Sequence, residues 1–483
     1  MVRPALALAW LALLAPAAGF AQDTGCASLG AARLADAKVL SAEWIAASPA
    51  APWRSAAGLF AAAKIDRPFC RVTGQAIPAP GSDIRFELWL ASRNAWNGRF
   101  FGTAPPAPTG AIAATTLVNP LNRGYAAMTH DNGHVSRSHG DTGWAVDGGG
   151  NPDPVRIADY GWRAQHAATV AAKAIAALYY GRPPARAFFL GCGLGGHHGL
   201  MEAQRFAADY DGIVAGASSG ELIGMLATQR WNLQTIADGG LSKDVLQTVG
   251  ERSRDSCDAQ DGLADGQIED PRACPGETGL ADLAEPQRRA VQALRRGPPD
   301  GHGLAPGAET GLAAAANAMT AATELLRRLG GTGDDLAEIE RRFGPDLNVG
   351  DLTLREFAGR GGKLIVYQGW ADPQTSPLAT LAGWQKLLAA NPAAARTARL
   401  FLVPGMGQCS GGPLGAADWL TAIETWVERD VPPISGTINA VVGSGSVAGK
   451  LRQRILCPYP SVARHVGGGD INADAYFRCK IPS

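Results

Sequence analysis

Ile84, Phe86, Leu88 and Leu90 alternate with polar residues or Trp89, a period-two pattern that predicts a half-buried strand. Tyr160, Ala164, Ala167, Ala171, Ala174 and Leu178 recur at helical spacing and predict one helix ahead of a short apolar strand, Phe188-Phe189-Leu190. A glycine-dense turn follows that strand, and then a helix-like run from His197 to Tyr210. Ile213-Val214-Ala215, Leu364-Ile365-Val366-Tyr367 and Leu400-Phe401-Leu402-Val403 read as buried strands. Trp419, Ile423, Trp426 and Val427 share one face of a later helix. Strands that alternate with helices imply an α/β fold, a mostly parallel sheet with helices on both faces. Between Ser219 and Gly362 the alternation stops, and helical runs such as Ala313 to Leu329 mix with polar, glycine-rich stretches. The chain is therefore divided into a core, 22–218 and 363–483, and an inserted domain, 219–362.

The glycine-dense turn is built like a nucleophile elbow. In serine esterases a strand–turn–helix unit of pattern Gly-x-Ser-x-Gly lifts one serine out of the sheet on a strained turn. Here the turn reads Gly191-Cys192-Gly193-Leu194-Gly195. Its central residue, Gly193, has no side chain and cannot attack a carbonyl. The expected site positions all follow strand ends, where open α/β sheets place their sites.

Several long segments resemble one family, the tannase and feruloyl esterase family of secreted α/β-hydrolases. They are Gly191 to Gly196, Gly199 to Phe206, Asp211 to Ala217, Tyr367-Gln368-Gly369-Trp370-Ala371-Asp372-Pro373, Pro404-Gly405-Met406-Gly407-Gln408-Cys409 and Cys457-Pro458-Tyr459-Pro460. The resemblance implies an α/β-hydrolase fold with a lid over the site, and it identifies 219–362 as that lid. The lid is compact and is expected to leave the pocket more open. The resemblance also implies a Ser–Asp–His triad, with a disulfide between the cysteine before the serine and the cysteine after the histidine. Carried over by position, Asp372 is the retained acid, Gly193 stands for the serine and Gln408 for the histidine. With no imidazole to orient, Asp372 is expected to hydrogen-bond Gln408. Upstream, the family's first oxyanion-hole donor follows a segment like Trp96-Asn97-Gly98-Arg99-Phe100. This chain continues Phe101-Gly102-Thr103-Ala104-Pro105-Pro106-Ala107-Pro108, and prolines have no N–H to donate.

The expectation is a catalytically impaired homologue, a pseudoenzyme that binds an aromatic acid or ester. The alternative is an active hydrolase of feruloyl- or galloyl-type esters with a rewired nucleophile such as Ser218 or Asp372. Ser219, Ser410 and Cys192 are weaker substitutes, and His197 and His198 are read as packed or surface histidines. Gln408 cannot take a serine proton at neutral pH.

Composition adds the compartment. Met1-Val2-Arg3-Pro4, an apolar run from Ala5 to Ala15, and Gly19-Phe20-Ala21 read as a secretory signal over 1–21. The protein is expected to be periplasmic or extracellular, and no later stretch is apolar for the ~20 residues that a membrane span needs. Eight cysteines in an exported chain suggest disulfides, although sequence alone leaves 105 pairings open. The resemblance selects Cys26–Cys70, Cys192–Cys409, Cys257–Cys274 and Cys457–Cys479. The 44 basic residues balance 44 acidic ones, which speaks against a nucleic-acid partner. The pairs Arg295-Arg296 and Arg341-Arg342 read as solvated helix faces.

One loop suggests a metal. Cys257-Asp258-Ala259-Gln260-Asp261-Gly262-Leu263-Ala264-Asp265-Gly266-Gln267-Ile268-Glu269-Asp270 spaces carboxylates along a glycine-bent stretch, which suits a hard cation. The pattern alone is also that of an acidic solvated turn pinned by a disulfide. The resemblance implies a structural Ca2+ held by the carboxylates of Asp258, Asp261 and Asp265 and the carbonyls of Leu263 and Gln267.

Overall fold

The computed structural model describes residues 24–53, 63–105, 110–136, 138, 140–330, 336–411, 417–434, 439–441 and 453–482. The secretory signal expected at 1–21 lies outside the described residues. Among those described, nine strands form one sheet. They are β1 (Ala37–Ile45), β2 (Phe69–Ala76), β3 (Ile84–Ala91), β4 (Arg99–Gly102), β5 (Ala126–His130), β6 (Arg186–Cys192), β7 (Gly212–Gly216), β8 (Lys363–Gly369) and β9 (Ala398–Val403). Their spatial order is β1-β2-β3-β5-β4-β6-β7-β8-β9. From β5 to β9 every neighbouring pair is parallel, while β1, β2 and β3 add an antiparallel edge.

The pleat sorts the apolar residues onto two faces. Phe189, Ile213, Ala215 and Val366 pack with helices α1 (Ala164–Tyr180), α2 (Leu194–Arg205) and, farther along the chain, α8 (Pro377–Ala390). Phe188, Val214, Ile365 and Phe401 point the other way, onto Trp419, Ile423 and Trp426 of α9 (Trp419–Arg429). Trp426 is fully buried, and truncating such a side chain to alanine typically costs about 3–5 kcal/mol. The helix of α2 begins three residues before His197 and ends at Arg205, because the glycines at its start seat it directly on the strand end. A Cβ on Gly196 would overlap the Gly216 carbonyl, so only glycine lets α2 approach β7 this closely.

β3 departs from its sequence pattern. It lies between β2 and β5, so Trp89 and Ala91 are buried as well as the alternating set. Its buried Glu87 is satisfied by Arg71 Nε and Nη2 at 2.7 and 2.9 Å and by Trp89 Nε1 at 2.6 Å. Internal pairing hides a charge that the alternation rule reads as solvent-facing.

Between β7 and β8 run α3 (Leu222–Asp238), α4 (Lys243–Cys257), α5 (Glu285–Arg296), α6 (Glu309–Arg328) and α7 (Leu336–Leu347). One apolar cluster, with Leu246, Val249, Leu294, Leu312 and Met319, lies within this insertion. Another joins Leu222, Leu226, Leu325 and Phe343 of the insertion to Trp144, Tyr160 and Leu194 of the sheet domain. The insertion is thus anchored on the residue that follows the elbow glycine. Arg295 is not solvated: its side chain is 8% exposed and pairs with Glu309 inside the insertion. All four cysteine pairs implied by the resemblance are disulfide-bonded.

Candidate active site

Gly193 sits between β6 and α2 with φ 61° and ψ −122°. Its N–H donates to Gly216 O at 2.9 Å, and its carbonyl accepts from His197 N at 3.0 Å. That backbone is strained for an L side chain, at a typical cost of about 1–3 kcal/mol. The elbow therefore keeps the conformation that presents a side chain while holding none. Leu194 opens α2, so its amide is among those that have no carbonyl one turn back.

The carboxylate of Asp372 lies beyond the end of β8 and is fully buried. Gln374 N and Thr375 N donate to Oδ1 at 2.8 and 3.0 Å, and Gln368 Nε2 donates to Oδ2 at 2.9 Å. The expected bond to Gln408 is not among these; Gln368 takes that role. Gln368 ends the apolar run of β8, and its Oε1 accepts from Thr380 Oγ1 at 3.1 Å, so its amide is fixed from both ends. A single polar residue closing an apolar strand was the available signal for it. Gln408 is half-buried in the loop after β9. The adjacent Cys409 has φ 60° and is bridged to Cys192, which ties that loop to the elbow. The structure thus gathers positions 193, 372 and 408 at the C-terminal ends of β6, β8 and β9, with only the acid bearing its expected chemistry.

In the segment after β4, Thr103 is committed elsewhere. Thr103 N donates to Met128 O at 3.0 Å and Thr103 Oγ1 donates to Leu190 O at 2.7 Å. Pro105 has no N–H, and Pro106 and Pro108 lie outside the described residues.

The model of the family described as tannase and feruloyl esterase matches residues 70–284 and 338–480. A mono(2-hydroxyethyl) terephthalate hydrolase of Piscinibacter sakaiensis is 31% identical, over 89% of this chain and 88% of that protein. The chain belongs to the tannase and feruloyl esterase family. Feruloyl esterase B of Aspergillus niger is 27% identical, over 85% of this chain and 86% of that protein. The crystal structure of feruloyl esterase B from Aspergillus oryzae superposes with a TM-score of 0.81 at 22% identity, covering 94% of this chain and 99% of that one, which shows the shared α/β-hydrolase fold.

In this family member the other nucleophile and base candidates are placed as follows. His197 is buried with Nδ1 2.8 Å from Ser219 O, and burial pushes it down to about 4. His198 is buried with Nε2 2.8 Å from Tyr160 O, and burial holds it well below the ordinary histidine value. Both are neutral packing residues. Ser218 Oγ is buried with no hydrogen-bond partner among the described residues, Ser219 closes a turn onto Glu221, and Ser410 is exposed. Cys192 is disulfide-bonded and Gln408 remains a carboxamide.

Asp372 carries a pH consequence. Burial pushes its carboxyl from 3.8 up to about 6, against the three N–H donors that pull it down. The native state therefore holds this proton over a window in which the unfolded chain has lost it. Stability falls as pH rises from about 4 to about 6, and the contribution is gone above that, a change of about 3 kcal/mol. Urea unfolding of wild type and Asp372→Asn at pH 4 and pH 7 is expected to show the difference moving in favour of Asn by about that amount. A constant difference across this window would refute the raised carboxyl.

In the acidic loop, Asp258 Oδ1 accepts from the amides of Asp265, Gly266 and Gln267 at 2.9, 2.9 and 3.1 Å. Asp261 Oδ1 accepts from Leu263 N at 2.9 Å, and Asp265 pairs with the buried Arg454. Burial, with Asp265 and Asp258 nearby, pushes Asp261 up to about 6. Gln267 Oε1 is buried without a hydrogen-bond partner among the described residues. The donor chemistry, carboxylates and carbonyl oxygens on a glycine-bent loop with excess negative charge, fits a hard cation. Among the described residues, the His, Cys, Asp and Glu side chains that converge within 4.8 Å are instead His166, Glu202 and Asp209, which the sequence reading missed.

Proposed function

We propose that this protein is a non-hydrolytic member of the tannase and feruloyl esterase family, an exported pseudoenzyme that binds an aromatic acid or ester. The observation that carries the reading is Gly193, an elbow with the strained backbone of a nucleophile turn and no atom to attack with. Serine catalysis needs an alcohol, a base within hydrogen-bond reach and donors for the oxyanion. Gln408 cannot serve as the base, and Thr103 has its N–H engaged in the sheet. A rewired nucleophile at Ser218 would need a base bonded to its hydroxyl, and among the described residues Ser218 Oγ has no partner. The test is turnover of a simple phenolic ester by purified protein beside Gly193→Ala. Equal, background-level rates are expected. Robust wild-type turnover or a covalent acyl adduct would overturn the proposal. The four disulfides support export, since such bonds persist in oxidising compartments.

The acidic loop is proposed to hold a structural Ca2+ through the carboxylates of Asp258, Asp261 and Asp265 and the carbonyls of Leu263 and Gln267. The bound ion would neutralise the loop and fix its turns. Calcium at 100 times its dissociation constant would add about 2.7 kcal/mol. Addition of EDTA is expected to lower Tm by several degrees, with recovery on adding Ca2+ and no response in Asp261→Ala. An unchanged Tm in wild type would reject the site.

A further inference from the structure

Glu202, near the end of the helix that the elbow opens, is 1% exposed, and neither of its carboxylate oxygens has a hydrogen-bond partner among the described residues. A buried carboxylate is costly unless a cation or a set of donors meets it. Burial, and after it the neighbouring Asp209 charge, pushes this carboxyl well above the ordinary glutamate value.

Two further ligand-type groups converge on it. His166 lies in the first turn of α1, and Asp209 lies in the turn between α2 and β7. One donor atom from each of the three side chains stands within 4.8 Å of the other two, and His166 Nδ1 is 2.6 Å from Asp209 Oδ2. The imidazole is stacked on Phe206, with ring centroids 3.8 Å apart and planes 13° from parallel, which restrains its rotation. Lys173 does not supply the missing bond. Its Nζ donates to the backbone carbonyl of Asp209 and lies 5.1 Å from the centroid of the Tyr210 ring. Two carboxylates against one ammonium leave the cluster short of positive charge.

The donors are graded from surface to core. The His166 side chain is 31% exposed and that of Asp209 13%, so an ion reaches the cluster past these two and meets Glu202 as the inner wall. Zinc holds imidazole nitrogen and carboxylate oxygen at about 2.0–2.2 Å, which sets tetrahedral donors about 3.4 Å apart. Opening the His166–Asp209 hydrogen bond and drawing Glu202 inward forms that arrangement with side-chain movements of about 1 Å. One imidazole and two carboxylates suit a borderline transition ion, whereas calcium takes six to eight oxygens.

We propose that His166, Glu202 and Asp209 bind a divalent transition ion of the zinc class, with water as the fourth ligand, and that the ion pins α1 to α2 behind the sheet. The site is separate from the acidic loop, which offers only oxygen, and it does not depend on whether the elbow is inert.

The test uses the full chain, stripped with EDTA and returned to excess Ca2+ so that the acidic loop does not report. Calorimetric titration with Zn2+ is expected to show one equivalent bound by wild type. Glu202→Gln, which keeps the size and removes the charge, and His166→Asn are each expected to bind at least roughly 10-fold more weakly. Co2+ in place of Zn2+ should give wild type the visible absorption of a four-coordinate site, and Glu202→Gln should lose it. Absence of Zn2+ binding by wild type overturns the assignment. An undiminished Zn2+ affinity in either folded variant overturns it too, because the ion is then held elsewhere. Should Glu202→Gln fail to fold, His166→Asn, at a partly exposed position, decides alone.

Discussion

Gly193→Ser combined with Gln408→His is expected to raise turnover of a phenolic ester by about 1,000- to 10,000-fold over wild type, and either change alone by almost nothing. Magnitudes set this range. A complete triad is worth on the order of 10^6 in kcat, and its members act as a unit, so a serine without a base or a base without a serine recovers little. A missing oxyanion donor costs about 100- to 1,000-fold. Thr103 N is bonded to Met128 O and Pro105 has no N–H, so that loss persists in the double variant. The acid is ready: Gln374 and Thr375 already hold Oδ1 of Asp372, and Oδ2 accepts only one described bond, from Gln368. The new serine would sit at φ 61°, which is expected to lower stability by about 1–3 kcal/mol. A fluorophosphonate probe should label the double variant at the introduced serine and leave wild type unlabelled. Wild-type turnover as fast as that of the double variant would show that the chain has another catalytic route.

The sequence pattern reached the sheet because its signals are local. Apolar runs at Ile213, Leu364 and Leu400 can hardly be anything but buried strands, and the elbow's glycines are a contiguous motif. The misreadings share one cause, polar groups satisfied by partners that no periodicity singles out. Glu87 marks β3 as half-buried until Arg71 is brought across from β2 and Trp89, two residues along β3, turns its N–H onto the same carboxylate. Asp372 turns to Gln368, four residues back, because the end of β8 folds its own polar side chain onto the acid loop. No periodicity encodes that choice. Ser218 looked like a weak nucleophile candidate in the sequence; its lack of a partner among the described residues emerges only when the surrounding atoms are placed.

Arg295→Ala is expected to destabilise the insertion by about 3–5 kcal/mol, whereas Arg341→Ala, in the other arginine pair, should change stability by less than about 0.5 kcal/mol. The two side chains have the same chemistry and opposite surroundings. Arg295 is 8% exposed, and its partner Glu309 is fully buried. Its guanidinium donates to Glu309 Oε1 at 2.7 Å, to the carbonyls of Gly276 and Thr278 at 2.7 and 2.9 Å, and to Ser253 Oγ at 2.8 Å. One group therefore fastens α4, α5, α6 and the loop that follows the Cys257–Cys274 bridge. Truncation strands a buried carboxylate whose one other described partner is Gly307 N at 2.8 Å. Arg341 is 70% exposed beside Glu338, where water screens the pair. Because the stranded charge dominates the penalty, Arg295→Met with Glu309→Met should recover a large part of the stability lost by Arg295→Ala. The remainder reflects the Gly276 and Thr278 carbonyls, which lose the guanidinium, although Thr278 O keeps a 3.2 Å bond from Ser253 Oγ. Hydrogen exchange should localise the effect to α4–α6, with the central strands β6–β8 still protected. Equal destabilisation by Arg295→Ala and Arg341→Ala would mean that the buried ion pair does not organise the insertion.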